Sequence, residues 1–437
     1  MKYIVENSEL YDDMLYVYSE QYARIMMFPS KFINNDDIDS MLDEKFKEYG
    51  SKILEDNYCK KNISLISIIV SNLCNMKCSY CYENFGTFGK KENTISHATA
   101  NKIVDFITSN YESIETICFF GGEPFLAINA IEYICDLIEA KYKKNIIKTR
   151  PLYKVITNGT ILNESILKVL KKYEIKTCVS LDGFKEIHDK YRVYKNGEGT
   201  YDDICKNMEI LNKNNLLTSI QTTYYKSYIE NNISMLDIKK YYYNKFGIKM
   251  FIFNDIYTNY EYIDDNLKKE EVSYNDKKSI VGNDMASNIK FFIESGAIDF
   301  ELYNFLVRTM KNKESRYMCN AGYNELAINL DGNIYPCRVF LTENFREEYL
   351  MGNVSDYDKN QYEKVLNKIL KKNYRSDKCC DCKDIVSCGR CLALYLTDNK
   401  KCNEECVFLD KSYKNDFYLA LKNGISLRGV VESIIGN

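Results

Sequence analysis

The chain has 437 residues, with 59 Lys and Arg against 62 Asp and Glu, for a formal charge of −3. That balance argues against the broad basic footprint of a nucleic-acid-binding protein, and the presence of only two histidines, His97 and His188, excludes a three-histidine metal site. There is no tryptophan, and the 17 cysteines are too dilute for a small disulfide scaffold yet too many to be incidental core thiols.

Residues 1–60 begin MKYIVENSELYDD, which lacks the apolar core of a secretory signal. Residues 15–29 alternate like a hairpin and residues 38–49 have a helical period, so a small α+β extension is expected there. Residues 61–255 alternate short β-branched runs with helical segments. Strands are expected at 64–70, 114–120, 153–157, 175–181, 218–224 and 249–254, with helices at 95–110, 128–143, 161–173, 202–214 and 232–246 between them. This is the pattern of βαβ units and a parallel sheet, and six strands suit a partial (β/α)6 TIM-like barrel whose chemistry sits at the C-terminal strand ends. Residues 256–315 form a polar connecting region. Residues 316–410 hold a dense cysteine group, and 411–437 read as a helical tail. No run of 18 apolar residues exists, so neither a membrane span nor a membrane partner is expected. Reduced, clustered thiols then fit a cytoplasmic protein.

After the first barrel strand comes Cys74-Asn-Met-Lys-Cys78-Ser-Tyr80-Cys81, spaced CxxxCxxC. Three thiolates in a tight loop can hold three irons of a [4Fe–4S] cube and leave the fourth iron open to a small molecule. Tetrahedral zinc takes CxxC pairs with a fourth ligand nearby, which this spacing does not supply. From these cysteines to about residue 254 the chain resembles the radical S-adenosylmethionine (SAM) superfamily. Gly121-Gly122-Glu123-Pro124 is similar to the family's GGEP motif, which implies that Glu123 and the strand-edge backbone hold the SAM ammonium while the glycines let the backbone approach the ligand. Thr157-Asn158-Gly159 resembles the next strand-end contact. Ser180-Leu181-Asp182-Gly183, with His188-Asp189 and Arg192, resembles the SLDG…HD…R segment. The resemblance implies that Ser180 and Arg192 contact the SAM carboxylate, to which an Arg fork is suited, and that Asp182 and Tyr80 belong to the same cofactor site. It also implies the chemistry. A low-potential cluster, reduced by a flavodoxin or ferredoxin, cleaves SAM, and the 5′-deoxyadenosyl radical abstracts a hydrogen atom from substrate.

The second cysteine group reads Cys319-x12-Gly332-x4-Cys337, then Cys379-x2-Cys382-x5-Cys388-x2-Cys391, Cys402 and Cys406. It resembles the SPASM extension, which holds two auxiliary iron–sulfur clusters in peptide-modifying radical SAM enzymes. The resemblance implies one cluster on Cys319, Cys337 and Cys391, with an open iron or Cys402 completing it. The other would use Cys379, Cys382, Cys388 and a late cysteine, Cys402 or Cys406. Two residues separate Cys388 from Cys391, where the family usually has three. Together with the first motif this makes three [4Fe–4S] clusters; a zinc knuckle is the rival for CxxC-x5-CxxC alone. Cys118, Cys135 and Cys178 sit in apolar contexts and read as buried small hydrophobes.

The loop at 82–89 (YENFGTFG) resembles a stretch of maturases that form thioether links in ribosomally made, Cys-rich peptides. The favoured reading is therefore thioether crosslinking of a Cys-rich precursor peptide; residues 1–60 fit equally a reduced element on which its leader docks by strand addition and an extension that caps the barrel. Formylglycine formation by an anaerobic sulfatase-maturing enzyme is the main rival. That group tends to carry an Asp after the SPASM cysteine, where this chain has Arg338. Carbon–carbon crosslinking, epimerisation and a non-catalytic iron–sulfur protein follow.

Overall fold

Buried β-branched runs and short helical segments form a parallel sheet with helices on its outer face. The computed structural model describes residues 3–32, 37–49, 52–54, 61–254, 256, 265–272, 284–311, 313–315, 317, 319–342, 345, 347–373, 391–397 and 411–436. Strands β1 (Tyr3–Asn7), β2 (Met14–Ser19) and β3 (Arg24–Pro29) make an antiparallel sheet, followed by a helix at Ile38–Tyr49 and a short strand, β4 (Lys52–Leu54). The barrel strands are β5 (Asn62–Ser71), β6 (Ser113–Gly121), β7 (Leu152–Thr157), β8 (Lys176–Ser180), β9 (Leu217–Thr223) and β10 (Met250–Asn254). All pair in parallel with their sequence neighbours. Ile68, Ile117, Val155, Val179 and Ile220 are buried at 0% exposure, as strands covered on their outer face by helices require.

Helix starts depend on capping more than on hydrophobic period. The helix expected from 161 begins at Glu164 because the Asn163 side chain accepts from Ile166 N. The one expected from 232 begins at Met235, where Ser234 and Asp237 form a capping box.

The sheet does not stop at the barrel. On one edge β11 (Ile298–Asp299) adds to β10. A further strand, β12 (Lys313–Ser315), pairs with β4. On the other edge β13 (Glu325–Ile328) lies parallel to β5, and β14 (Asn333–Tyr335) and β15 (Gly352–Asn353) continue antiparallel. The segment from Glu325 to Asn353, which carries Cys337, is thus built onto the barrel's own sheet. Its turn is fixed by Asn329 Oδ1, which accepts from Asp331 N at 3.0 Å and Asn333 N at 2.9 Å. A Cβ on Gly332 would sit 2.7 Å from Val354 Cγ2 at φ +82°, so only glycine fits.

The chain's two ends pack together. Tyr18 of β2 meets Phe417 edge-on at 5.1 Å, within an apolar cluster that includes Phe292, Phe305 and Val430. Glu6 of β1 accepts from Leu427 N and Arg428 N, both at 2.9 Å, and so caps the helix at Leu427–Ile435. Helices at Met285–Ser295 and Phe300–Thr309 fill the connecting region. Buried Lys239 reaches Asp299 at 2.7 Å and ties this region to the barrel helix Met235–Phe246. Among the described residues no helix is long and apolar enough to cross a membrane.

Candidate active site

Cys74, Cys78 and Cys81 lie in the loop that leaves β5. Two backbone bonds bind this loop to the end of β6: Gly122 N to Ser71 O at 2.9 Å and Glu123 N to Leu73 O at 2.7 Å. A Cβ on Gly121 would stand 2.0 Å from Ser71 O, and one on Gly122 would stand 2.5 Å from Leu73 O. The glycine pair was expected to admit a ligand. What it admits here is the cysteine loop's own backbone, because these carbonyls occupy the space a side chain would need. Gly86, at φ +89°, completes the arrangement: its Cβ would meet Gly122 Cα at 2.4 Å, so the segment after Cys81 folds back onto the same pair.

The three thiols act on one another electrostatically. Burial pushes Cys74 up to about 12, and Cys78 and Cys81 also rise, chiefly by burial. The three thiols are half-buried, and among the described residues no group of three Cys, His, Asp or Glu is drawn together closely enough to hold a metal ion. The donor chemistry, three soft sulfurs with the Arg192 cation acting on Cys78, suits the net negative charge of a thiolate-held iron–sulfur cube. The Asn158 amide nitrogen lies 3.8 Å from Cys74 Sγ and donates to Asn75 Oδ1 at 2.9 Å.

Glu123 is fully buried. Its Oε1 accepts from Phe125 N at 3.0 Å and Thr157 Oγ1 at 2.8 Å, and its Oε2 accepts from Asn158 N at 2.7 Å. Burial raises its pKa and these donors oppose the rise. One Oε2 lone pair is left for an ammonium. Pro124 opens a short 3-10 turn behind it and is buried. The strand-end residues of β6 and β7 therefore converge on one carboxylate.

Arg192 and Asp182 are not surface residues; they are 7% and 0% exposed. Asp182 Oδ2 accepts from Tyr80 Oη at 2.6 Å and Tyr225 Oη at 2.5 Å, and Arg192 Nη1 donates to Tyr80 Oη at 2.6 Å. Arg192 Nε is buried with no protein partner. His188 supports this layout. Its Nδ1 accepts from Asp182 N at 3.0 Å, which places the ring hydrogen on Nε2, 2.9 Å from Thr200 Oγ1, and Thr200 Oγ1 donates to Arg192 O at 2.9 Å. Burial, then Arg192, holds His188 well below the ordinary imidazole range, so the ring is neutral. Asp189 Oδ1 accepts from Thr200 N and Tyr201 N at 2.8 and 3.0 Å, and a Cβ on Gly199 would strike the Asp189 carboxylate at 2.4 Å. The whole 180–201 segment thus serves to place Arg192. Ser180 ends β8 opposite Gln221 of β9 and is half-buried.

Cys319, Cys337 and Cys391 also lie within one another's electrostatic reach. Cys379, Cys382, Cys388, Cys402 and Cys406 lie outside the described residues. Arg338, next to Cys337, stands over the Phe120 ring at 5.0 Å. Its charge works against the burial-driven rise in the pKa of Glu83, Glu325, Cys118 and Cys178. The strand register puts Cys118 and Cys178 on the inner face of the sheet with Lys154. Cys178 is half-buried there, rather than sealed in the core as its apolar context predicts; Cys118 and Cys135 are buried. Glu83 is a site residue the sequence reading missed. Burial pushes its carboxyl up to about 8, against a Tyr82 hydrogen bond and Arg338. Tyr225 was missed as well. It lies just past β9, and the strand-end rule, applied to the fifth strand, points to it.

Residues 68–236 match the Radical SAM superfamily, and residues 319–392 match SPASM, an iron–sulfur cluster-binding domain. The chain is 25% identical over 322 residues to the cysteine-type anaerobic sulfatase-maturating enzyme of Clostridium novyi (strain NT), covering 72% of this chain and 82% of that one. It is 26% identical over 305 residues to the antilisterial bacteriocin subtilosin biosynthesis protein AlbA of Bacillus subtilis (strain 168), covering 69% of this chain and 59% of that one. The solved structure of native anSMEcpe with bound AdoMet and Cp18Cys peptide superposes with a TM-score of 0.63 at 20% identity, covering 85% of this chain and 99% of that one. At that identity the likeness is one of fold.

Proposed function

We propose that this chain, which carries a radical SAM domain followed by a SPASM domain, modifies a ribosomally made peptide by forming a Cys thioether crosslink. The observation that carries the reading is Arg338 itself: it directly follows Cys337, and its guanidinium stands over the ring of Phe120, near the end of β6, at 5.0 Å. A guanidinium cannot accept a proton, so this position offers no base for the O–H or S–H of a formylglycine precursor. Its charge instead favours an incoming substrate thiolate over the thiol.

A cluster and SAM, when bound, supply one-electron hydrogen abstraction. In this reading Cys74, Cys78 and Cys81 hold the cluster. Glu123 takes the SAM ammonium on Oε2, and Arg192 and Ser180 take the carboxylate. Cys319, Cys337 and Cys391 hold one auxiliary cluster, and Cys379, Cys382, Cys388 and Cys402 or Cys406 the other, which makes three [4Fe–4S] centres. The half-buried inner face near Cys178 and Arg338 receives the peptide, and the walls of the barrel exclude water. The peptide-bound neighbour supports a peptide partner. The leader would add as a strand to β3, which among the described residues pairs only with β2. A flavodoxin or ferredoxin in the cytoplasm would supply electrons.

The test is anaerobic incubation of the reconstituted chain with SAM, reductant and a Cys-rich precursor peptide, read by mass spectrometry. Thioether formation predicts loss of two hydrogens per link and loss of one alkylatable thiol. An unchanged precursor, with a sulfatase-derived Cys peptide converted to formylglycine, would establish the rival reading.

A further inference from the structure

Asp182 carries a full set of protein donors in a place where a direct ion pair would be expected. Its Oδ1 accepts from Thr223 N at 2.9 Å, and its Oδ2 takes the phenol hydrogens of Tyr80 and Tyr225. Arg192 then donates to the Tyr80 oxygen and not to Asp182. Two buried opposite charges are thus held apart by one phenol. A side-on bidentate Arg–carboxylate pair would use Nε together with one Nη. The interposed phenol engages Nη1 and leaves Nε buried and without a protein partner. A buried, unpaired guanidinium N–H is costly unless a ligand completes it.

The phenol belongs to the cysteine loop, since Tyr80 lies between Cys78 and Cys81. Packing fixes the other phenol: the Tyr225 ring stacks on Tyr191 at 4.2 Å and tilts against Tyr80 at 5.4 Å. Asp182 is therefore the point where the end of β8, the segment after β9 and the cluster loop are joined.

We infer that Asp182 and Tyr225 are positioning residues for SAM: through Tyr80 they fix the Arg192 guanidinium to the cluster loop and keep its Nε for the SAM carboxylate. This rests on the radical SAM reading. It gives Asp182 a role through Tyr80 in place of direct cofactor contact, and it gives Tyr225 a role that the motifs do not.

The experiment uses the anaerobically reconstituted full chain and the variants Asp182→Asn and Tyr225→Phe. Equilibrium binding is measured for SAM and for 5′-methylthioadenosine, which lacks the carboxylate, alongside iron content and the electron paramagnetic resonance shift of the reduced cluster on adding SAM. Loss of one charge-assisted contact predicts SAM binding weaker by about tenfold. The cluster shift should shrink, while methylthioadenosine affinity and iron content should stay as in the wild type. Tyr225→Phe removes one hydroxyl and no charge, so it reads the same quantity in a chain that keeps Asp182. Equal weakening of both ligands, or falling iron with unchanged SAM affinity, would make the network merely structural and overturn the inference. Wild-type SAM affinity in both variants would overturn it too. A wild-type chain that binds methylthioadenosine and SAM equally would refute the Arg192 reading beneath it.

Discussion

In the proposed reading, Arg338 is the side chain that separates thioether formation from formylglycine formation. Its guanidinium stands over the Phe120 ring, and its charge opposes the burial-driven pKa rise of Cys118 and Cys178 on the inner face. A cation there attracts a thiolate, whereas a carboxylate there would repel it and could take a proton from substrate. Arg338→Asp is expected to lower crosslinked product by about tenfold or more while SAM cleavage continues. The ratio of product to 5′-deoxyadenosine checks this, and an unchanged ratio would remove Arg338 from substrate handling. Glu83 works differently. Its carboxyl, pushed up to about 8 by burial, lies two residues past Cys81, and once ionised its charge adds to the burial that raises the Cys81 thiol.

At the scale of elements, the decisive contact is the close approach of the β5 and β6 ends. Gly122→Ala would place a Cβ about 2.5 Å from Leu73 O, a backbone atom that cannot swing aside. The clash is expected to cost about 1–3 kcal/mol and to displace the loop bearing Cys74. Iron content after reconstitution and the thermal midpoint should both fall; full iron loading would contradict the account. The barrel strands were legible because parallel strands buried on both faces read as short continuous apolar runs. The motifs at their C-terminal ends were legible because a short spacing such as CxxxCxxC carries local chemistry. The joining of β13 to β5 was not, since Glu325 and Leu65 pair across most of the chain and neither segment signals its partner. The Asp182–Tyr225 bond, 43 residues apart in sequence, was hidden for the same reason. Helix starts moved to Asn163 and Ser234 because side-chain capping outweighs hydrophobic period at a terminus.

Across the whole molecule, one continuous sheet from β11 to β15 includes both the strand that leads into the Cys74 loop and the strand that precedes Cys337. Cys337 follows β14 directly, and β13 is paired to the strand from which the Cys74 loop leaves. Strands β1 and β2 pack on the C-terminal helices, and among the described residues β1 and β3 are the two edges of the N-terminal sheet. The central claim is that Cys74, Cys78 and Cys81 hold a cluster that cleaves SAM beside Glu123 and Arg192. Its most direct test is 5′-deoxyadenosine release from SAM under strong anaerobic reduction, comparing the wild type with Cys74→Ala. The account predicts release by the wild type and none by the variant; no release by the wild type with its iron fully loaded would contradict it.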